Sequence, residues 1–148
     1  MDYPPLVHYD TQDEYRKHFE GIYCRGGIRT FDDILVRFRK SKFDHCFFES
    51  TKRDARKDQF SVKRAERLDW IKAALQDPDS ERYVGWDKYK KRYDKSRRVA
   101  IVMKNYVVVI QLKGAKNADF VTAYVADTTT SQGRVSTIEK IRKSPKWS

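Results

Sequence analysis

The sequence predicts an α+β domain with N-terminal helices on a roughly four-stranded antiparallel sheet, and a short C-terminal helix after it. Apolar residues recur at helical intervals of three and four before Pro78 and at alternate positions, as in strands, after it. Two β-branched segments, 98–103 and 106–112, are separated only by Lys104 and Asn105, which predicts a tight hairpin. The 148 residues suit a single domain with one core.

Three helices are predicted in the first half of the chain. The first covers residues 13–24 and ends at a glycine pair. Thr30 is a suitable N-cap for a second helix over 31–39, and Ser61 for a third that runs from 61 to 76. Each has one apolar side, so we expect all three to pack on one face of the sheet.

Four strands are predicted at 81–87, 98–103, 106–112 and 118–126, and a short closing helix at 136–143. In the last strand, alternation assigns Val121, Ala123 and Val125 to the helix side and Phe120, Thr122 and Tyr124 to the other face. Two neighbouring hydroxyls on an open face can bind a phosphate or a base edge. The alternative is that threonine and tyrosine simply suit exposed strand positions.

The sequence lacks the signatures of several protein classes. No apolar run is long enough to span a bilayer and the N-terminus does not resemble a secretory signal, so a cytoplasmic location is expected, although a domain excised from a larger chain would look the same. No P-loop or dinucleotide-binding glycine motif occurs. The spacing of the cysteines and histidines fits no zinc site, and we expect reduced structural cysteines and no cofactor; the residues are Cys24, Cys46, His8, His18 and His45.

The positive charge is concentrated in two blocks. The formal net charge is +11. Residues 37–67 contain eleven basic and five acidic residues, and residues 88–104 contain eight basic and one acidic. This pattern favours a polyanion partner, RNA or DNA, whose binding would be sensitive to salt. A well-solvated surface and an anionic membrane face are the alternatives, although no amphipathic membrane helix accompanies the blocks.

One histidine lies directly before a cationic run. His45 lies on an aromatic segment, and residues 50–57 follow it with two hydroxyls and four basic side chains. The segment is either a buried edge followed by a solvated loop, or a phosphate-handling site with a proton-transfer residue beside it. An imidazole suits the second role because its pKa lies near neutrality.

Several segments together resemble a known nuclease family. In chain order they are FDHCFFES, SVKRAERLDWIKAAL, YVGWD, RRVAIVMKNYVVVI, FVTAYVAD and IRKSPKW. They resemble the phage- and plasmid-borne branch of the barnase–EndoU–colicin–RelE (BECR) nucleases. The match extends from about Phe43 to Trp147, whereas residues 1–41 match less well. The resemblance implies N-terminal helices on a four-stranded antiparallel sheet, and a metal-independent ribonuclease that acts as a toxin or in conflict between phage and host.

The resemblance also indicates site residues, with His45, Arg53, Thr122 and Tyr124 as the catalytic group. Metal-free cleavage uses the 2′-hydroxyl of RNA as nucleophile and leaves a 2′,3′-cyclic phosphate. His45 would transfer a proton, Arg53 would clamp the phosphate, and the two hydroxyls of strand 118–126 would donate hydrogen bonds. Residues expected to bind substrate are Ser50, Lys52, Lys57, Lys146 and Trp147. Glu49 and Asp127 are alternative carboxylate bases, and no catalytic metal is expected.

Two other functions compete with the ribonuclease. The same basic surface suits a non-catalytic nucleic-acid-binding module, and it also suits a phage structural or interaction protein. A toxin with a cationic cleft would attract an acidic antitoxin or immunity protein by charge complementarity. RNA is the expected substrate partner, and no membrane partner is expected.

Overall fold

The computed structural model describes residues 3–49, 59–84, 86–87, 91–93, 98–126 and 141–142. This part of the chain is a mixed α+β structure, which confirms the predicted class. Its helices are α1 (Gln12–Phe19), extended by a π-helical turn (Glu20–Cys24), α2 (Lys42–Phe47), α3 (Val62–Ala65) and α4 (Leu68–Gln76). Its strands are β1 (Ile28–Arg29), β2 (Leu35–Arg37), β3 (Phe48–Glu49), β4 (Gln59–Phe60), β5 (Glu81–Val84), β6 (Trp86–Asp87), β7 (Arg92–Tyr93), β8 (Arg98–Met103), β9 (Tyr106–Leu112) and β10 (Asn117–Val125).

The main sheet has six strands in the order β1-β2-β10-β9-β8-β5. All neighbours are antiparallel except β2 and β10, which run parallel. The four predicted strands form one side of this sheet, and the hairpin of β8 and β9 turns at Lys104 as predicted. The predicted strand number was wrong, because the N-terminal part of the chain contributes β1 and β2. Two small hairpins, β3-β4 and β6-β7, lie outside the main sheet.

The predicted second helix, 31–39, is a turn followed by β2. Thr30 does cap the turn, because its Oγ1 accepts a hydrogen bond from the Ile34 amide at 3.0 Å. Asp33 then adopts a φ of 66°, a left-handed conformation that a helix does not continue through. β2 gains backbone partners on both sides, from β1 and β10. Pairing with distant strands therefore overrides the local helical pattern.

The third predicted helix is interrupted. Ser61 is its N-cap as predicted, since its Oγ accepts from the Arg64 amide at 3.2 Å. The helix then breaks at residues 66–67, which separates α3 from α4. The predicted strand 81–87 is also split, into β5 and β6. Of the predicted closing helix, residues 141–142 are described and are helical.

The main core lies between the helices and one face of the six-stranded sheet, here called the first face. Its centre is aromatic: Phe19 is fully buried and contacts Phe38, Phe43 and Phe47 edge to face. The opposite, second face carries a smaller apolar cluster, which consists of Tyr83, Ala100, Val102, Val107 and Ala126 with Val109, Tyr124 and Ile141 packed against it. The described helices include none long and apolar enough to cross a membrane.

A bulge in β10 corrects the predicted alternation. The pairing of β10 with β9 shifts between Phe120 and Thr122, which leaves Val121 as an extra residue. Phe120 therefore packs in the main core on the first face, so its predicted position on the other face was wrong. Thr122 and Tyr124 pair with Val109 and Val107 and share the second face with them.

Candidate functional site

Helix α2 lies against the second half of β10. Strand β2 pairs with only the first three residues of β10, Asn117–Asp119. Beyond them, the Cys46 thiol of α2 donates a hydrogen bond to the Ala123 carbonyl at 3.3 Å. The contact brings His45, the residue before Cys46, next to the strand segment in which Thr122 and Tyr124 flank Ala123. Three of the four predicted catalytic residues therefore lie on two elements in direct contact.

The two sides of α2 have different surroundings. Asp44 accepts a hydrogen bond from Arg16 of α1 at 2.6 Å, and the same guanidinium lies 4.4 Å from the centre of the Phe43 ring. Lys42 and His45 are three positions apart, so their side chains lie along a common side of the helix. Lys42 and His45 are both half-buried. The carboxylate next to His45 in sequence is thus engaged by α1.

Lys42 belongs to a group of cations that the chain brings together from two regions. Partial burial lowers its pKa first, and the nearby Arg39 and Arg98 lower it further, while Asp119 acts in the opposite direction. Arg98 belongs to β8 and comes from the second basic block of the sequence. We call Arg39, Lys42 and Arg98 the cation cluster. Sequence reasoning missed it as a site; the two basic blocks were the only signal.

A polar row crosses the second face beside the cation cluster. Arg37 of β2 pairs with Asp119 of β10, which pairs with Gln111 of β9, which pairs with Arg98 of β8. Arg98 Nε donates to Gln111 Oε1 at 3.0 Å. Lys113 Nζ lies 3.9 Å from Asp119. This end of the second face is polar and positively charged, whereas the other end carries the small apolar cluster.

Tyr124 is suited to donate a hydrogen bond rather than to act as a base. It is half-buried against the apolar cluster of the second face, and this burial raises its pKa above the ordinary value of 10.0. Its phenol is therefore protonated at neutral pH. Thr122 is half-buried on the same face and contributes a second hydroxyl. Neither group can remove a proton near neutrality.

All five predicted substrate-binding residues lie outside the described part of the chain. They are Ser50, Lys52, Lys57, Lys146 and Trp147. The predicted catalytic Arg53 and the alternative base Asp127 also lie outside the described residues. Glu49 and Gln59, the described residues before and after positions 50–58, are paired between β3 and β4, directly after α2. Glu49 accepts a hydrogen bond from Arg64 at 3.1 Å, which engages the carboxylate proposed as an alternative base.

The other histidines have structural surroundings. His18 Nε2 lies 2.8 Å from Asp69, and its Nδ1 lies 2.7 Å from the Tyr9 hydroxyl, so it joins α1 to α4 and the N-terminal segment. His8 is exposed and lies 3.8 Å from Glu66. Among the described residues, no group of three or more histidine, cysteine or acidic side chains is arranged to hold a metal ion.

Both cysteines are free thiols, but their environments differ. Cys46 is fully buried beneath β10. Cys24 is half-buried, and desolvation, with a further contribution from Glu20, raises its pKa. Cys24 also lines a groove at the β2 side of the sheet, next to the cation cluster.

Comparisons with models of protein families, with curated proteins and with solved structures find no match for this chain. The nuclease resemblance thus stays a prediction. The contact of α2 with β10 beside the cation cluster is the feature from which a function can be inferred.

Proposed function

We propose that the protein is a metal-independent endoribonuclease that cleaves RNA by attack of the 2′-hydroxyl, with a 2′,3′-cyclic phosphate as product. One observation carries this proposal: the Cys46–Ala123 hydrogen bond holds α2, which carries Lys42 and His45, against the segment of β10 that carries Thr122 and Tyr124, next to the cation cluster. A titratable imidazole, neutral hydroxyl donors and fixed cations are the groups that this reaction needs.

Each proposed residue has a separate role in the reaction. His45 transfers the proton of the 2′-hydroxyl or of the leaving 5′-oxygen. Lys42 and Arg98 stabilise the charge that develops on the phosphoryl oxygens. Thr122 and Tyr124 donate hydrogen bonds to the same oxygens or to the leaving group. Arg53 remains the proposed phosphate clamp, and Ser50, Lys52, Lys57, Lys146 and Trp147 remain the proposed substrate-binding residues.

The surroundings of Lys42 favour an anionic ligand. Its pKa is lowered by partial burial and by two neighbouring guanidinium groups, so three cations repel one another in the free protein. A phosphate placed among them would relieve this repulsion and raise the pKa of Lys42 again. Anion binding is thus favoured both by direct attraction and by removal of an unfavourable interaction. This supports a phosphodiester as the ligand of the cation cluster.

The first test is RNA cleavage in the presence of EDTA. The wild-type protein should produce fragments that end in a 2′,3′-cyclic phosphate, identified by mass spectrometry. The His45→Ala variant should cleave about a hundred- to ten-thousandfold more slowly, which is the usual range for loss of general acid–base help. His8→Ala is the matched control, because His8 is exposed and distant from the cation cluster in sequence and in its contacts. Equal cleavage by wild type and His45→Ala would remove His45 from the mechanism.

A nucleic-acid-binding module without cleavage is the second candidate. It is favoured by the cation cluster and the polar row, which need no proton-transfer group in order to bind a backbone. Tight, salt-sensitive RNA binding with no product from several RNAs would establish this alternative. An acidic antitoxin or immunity protein is part of the ribonuclease proposal, and its absence from a search for acidic proteins bound to the cation cluster would remove that part.

A further inference from the structure

We propose that the groove beside β2 is a nucleotide-binding subsite, which holds the nucleotide next to the one whose phosphate lies at the cation cluster. This proposal rests on the proposed ribonuclease function for its place along the RNA. The groove has a volume of about 470 Å³, within the range of ligand pockets. Its lining residues are Cys24, Gly26, Gly27, Leu35, Arg37, Phe38, Arg39 and Asp119.

The groove contains two arginines available for an anion. Arg37 and Arg39 are exposed, and neither forms an ion pair or a side-chain hydrogen bond with another described residue. A guanidinium offers a planar set of donors that matches two phosphate oxygens. Two such groups on successive exposed positions of one extended segment can hold one phosphate from two directions.

The groove also contains an acceptor and an apolar surface. Asp119 is one-third exposed, and the described cation nearest to it is Lys113 at 3.9 Å, a distance that leaves carboxylate oxygens accessible. A carboxylate among arginines disfavours a purely acidic ligand and favours one that carries donors as well as negative charge. A nucleotide has both, because its ribose hydroxyls and base amines donate while its phosphate accepts. Leu35, which is half-buried, supplies apolar area for the sugar or the base.

The groove is continuous with the candidate active site. Arg39 and Asp119 line the groove and also act on the pKa of Lys42, so the two sites share a boundary. An RNA strand that leaves the groove at Arg39 reaches Lys42 next, and then His45 along the same side of α2. All but one of the lining residues belong to the N-terminal part of the chain, 24–39. The subsite thus gives that part of the chain a role in substrate binding.

Protection of Cys24 from alkylation tests binding without reference to cleavage. Cys46 is fully buried, so iodoacetamide should modify Cys24 first, and peptide mass spectrometry separates the two. The reaction is run at about pH 8.5, since only the thiolate reacts and the pKa of Cys24 is raised. A nucleoside 3′-monophosphate at ten times its Kd should slow modification about tenfold, because only the empty groove reacts.

A double variant and a control variant of equal net charge test whether the nucleotide binds in the groove. Arg37→Gln with Arg39→Gln should abolish protection by the nucleotide. The control, Lys17→Gln with Arg29→Gln, removes the same charge from exposed side chains that pair with Asp13 and Asp33, and it should retain protection. If the control lost protection equally, net charge rather than the groove would explain binding. Equal protection by an oligoglutamate peptide would also overturn the nucleotide assignment.

Kinetics separate the subsite from the ribonuclease proposal. Arg37→Gln alone, which leaves the cation cluster intact, should raise KM for an RNA of several nucleotides by about tenfold, the loss of roughly one charge-assisted contact, with kcat unchanged. A dinucleoside monophosphate, whose single phosphate lies at the cation cluster, offers no second phosphate to Arg37 and should show no change in KM with this variant. Cys24 protection without any RNA cleavage would leave the subsite standing and remove the ribonuclease. Cleavage without Cys24 protection would remove the subsite alone.

Discussion

At the scale of single residues, position 27 requires glycine because of its backbone conformation and its close approach to β2. It adopts a φ of +76°, and a Cβ built on it would lie 2.3 Å from the Val36 carbonyl oxygen. Gly27→Ala therefore combines an unfavourable backbone conformation with a steric clash against backbone. We expect the free energy of unfolding to fall by about 1–3 kcal/mol, measured by urea denaturation.

Gly21→Ala is the matched control for this prediction. Gly21 lies in the π-helical turn, and a Cβ there would meet nothing within 4 Å. Alanine should leave the stability unchanged or raise it by up to about 1 kcal/mol, as in other helical positions. Equal effects of the two substitutions would contradict the close approach of Gly27 to β2.

The site residues show how far residue-level reasoning extends. His45 was selected from the sequence because it precedes a cationic run, and the structure places it next to β10. Lys42 was not selected, because in sequence it is one of eleven basic residues between 37 and 67. Its partial burial and the approach of Arg98 from β8 distinguish it from its neighbours. A side chain whose environment comes from a distant strand cannot be identified from its local sequence.

At the scale of elements, Tyr23 joins the π-helical turn to α4. Its hydroxyl donates to the Leu68 carbonyl at 2.5 Å and accepts from the Lys72 amide at 3.0 Å. In an α-helix the Lys72 amide pairs with the Leu68 carbonyl, so the Tyr23 hydroxyl contacts both groups of one helical hydrogen-bond pair. Tyr23→Phe should lower the free energy of unfolding by about 1 kcal/mol, since it leaves buried partners unsatisfied. Tyr9→Phe, which changes an exposed tyrosine, is the control.

The same residue gives a pH dependence. Burial raises the pKa of Tyr23 above its ordinary value of 10.0, so the unfolded chain loses this proton first. The folded state then holds more protons than the unfolded state, and stability falls as pH rises above about 10. Tyr23→Phe should show a shallower decline in denaturation measured at alkaline pH. A decline remains, because burial also raises the pKa of Tyr106. Identical slopes for wild type and variant would contradict the burial of the phenol.

Element predictions succeeded where local signals agree with the final environment. The hairpin of β8 and β9 has a two-residue turn, and its partner strands are adjacent in sequence. The segment 31–39 failed because its strand partners are distant in sequence: β10 begins at Asn117. The apolar residues that suggested a helix in this segment pack in the core from a strand. The predicted alternation of faces in β10 failed for a similar reason, since the bulge depends on the pairing with β9.

At the scale of the whole molecule, the charge distribution should appear in the salt dependence of RNA binding. Each cation that neutralises a phosphate of single-stranded RNA contributes about 0.7 to the slope of log K against log salt concentration. Lys42→Gln should reduce that slope by about this amount, measured by fluorescence anisotropy at several salt concentrations. Lys17→Gln, which removes an exposed charge from α1, should leave the slope unchanged. Equal slopes for all three proteins would remove Lys42 from the RNA contact.

The sequence by itself determined the α+β class, the strands of the β8-β9 hairpin, the cap at Ser61 and the excess of positive charge. These depend on periodicity, turn length and composition, which are properties of contiguous residues. Only the tertiary structure decided that the N-terminal part adds β1 and β2, that Phe120 faces the helices, and that Arg39, Lys42 and Arg98 form one cluster. These depend on which distant segments become neighbours, because pairing and electrostatic interaction act through space and not along the chain.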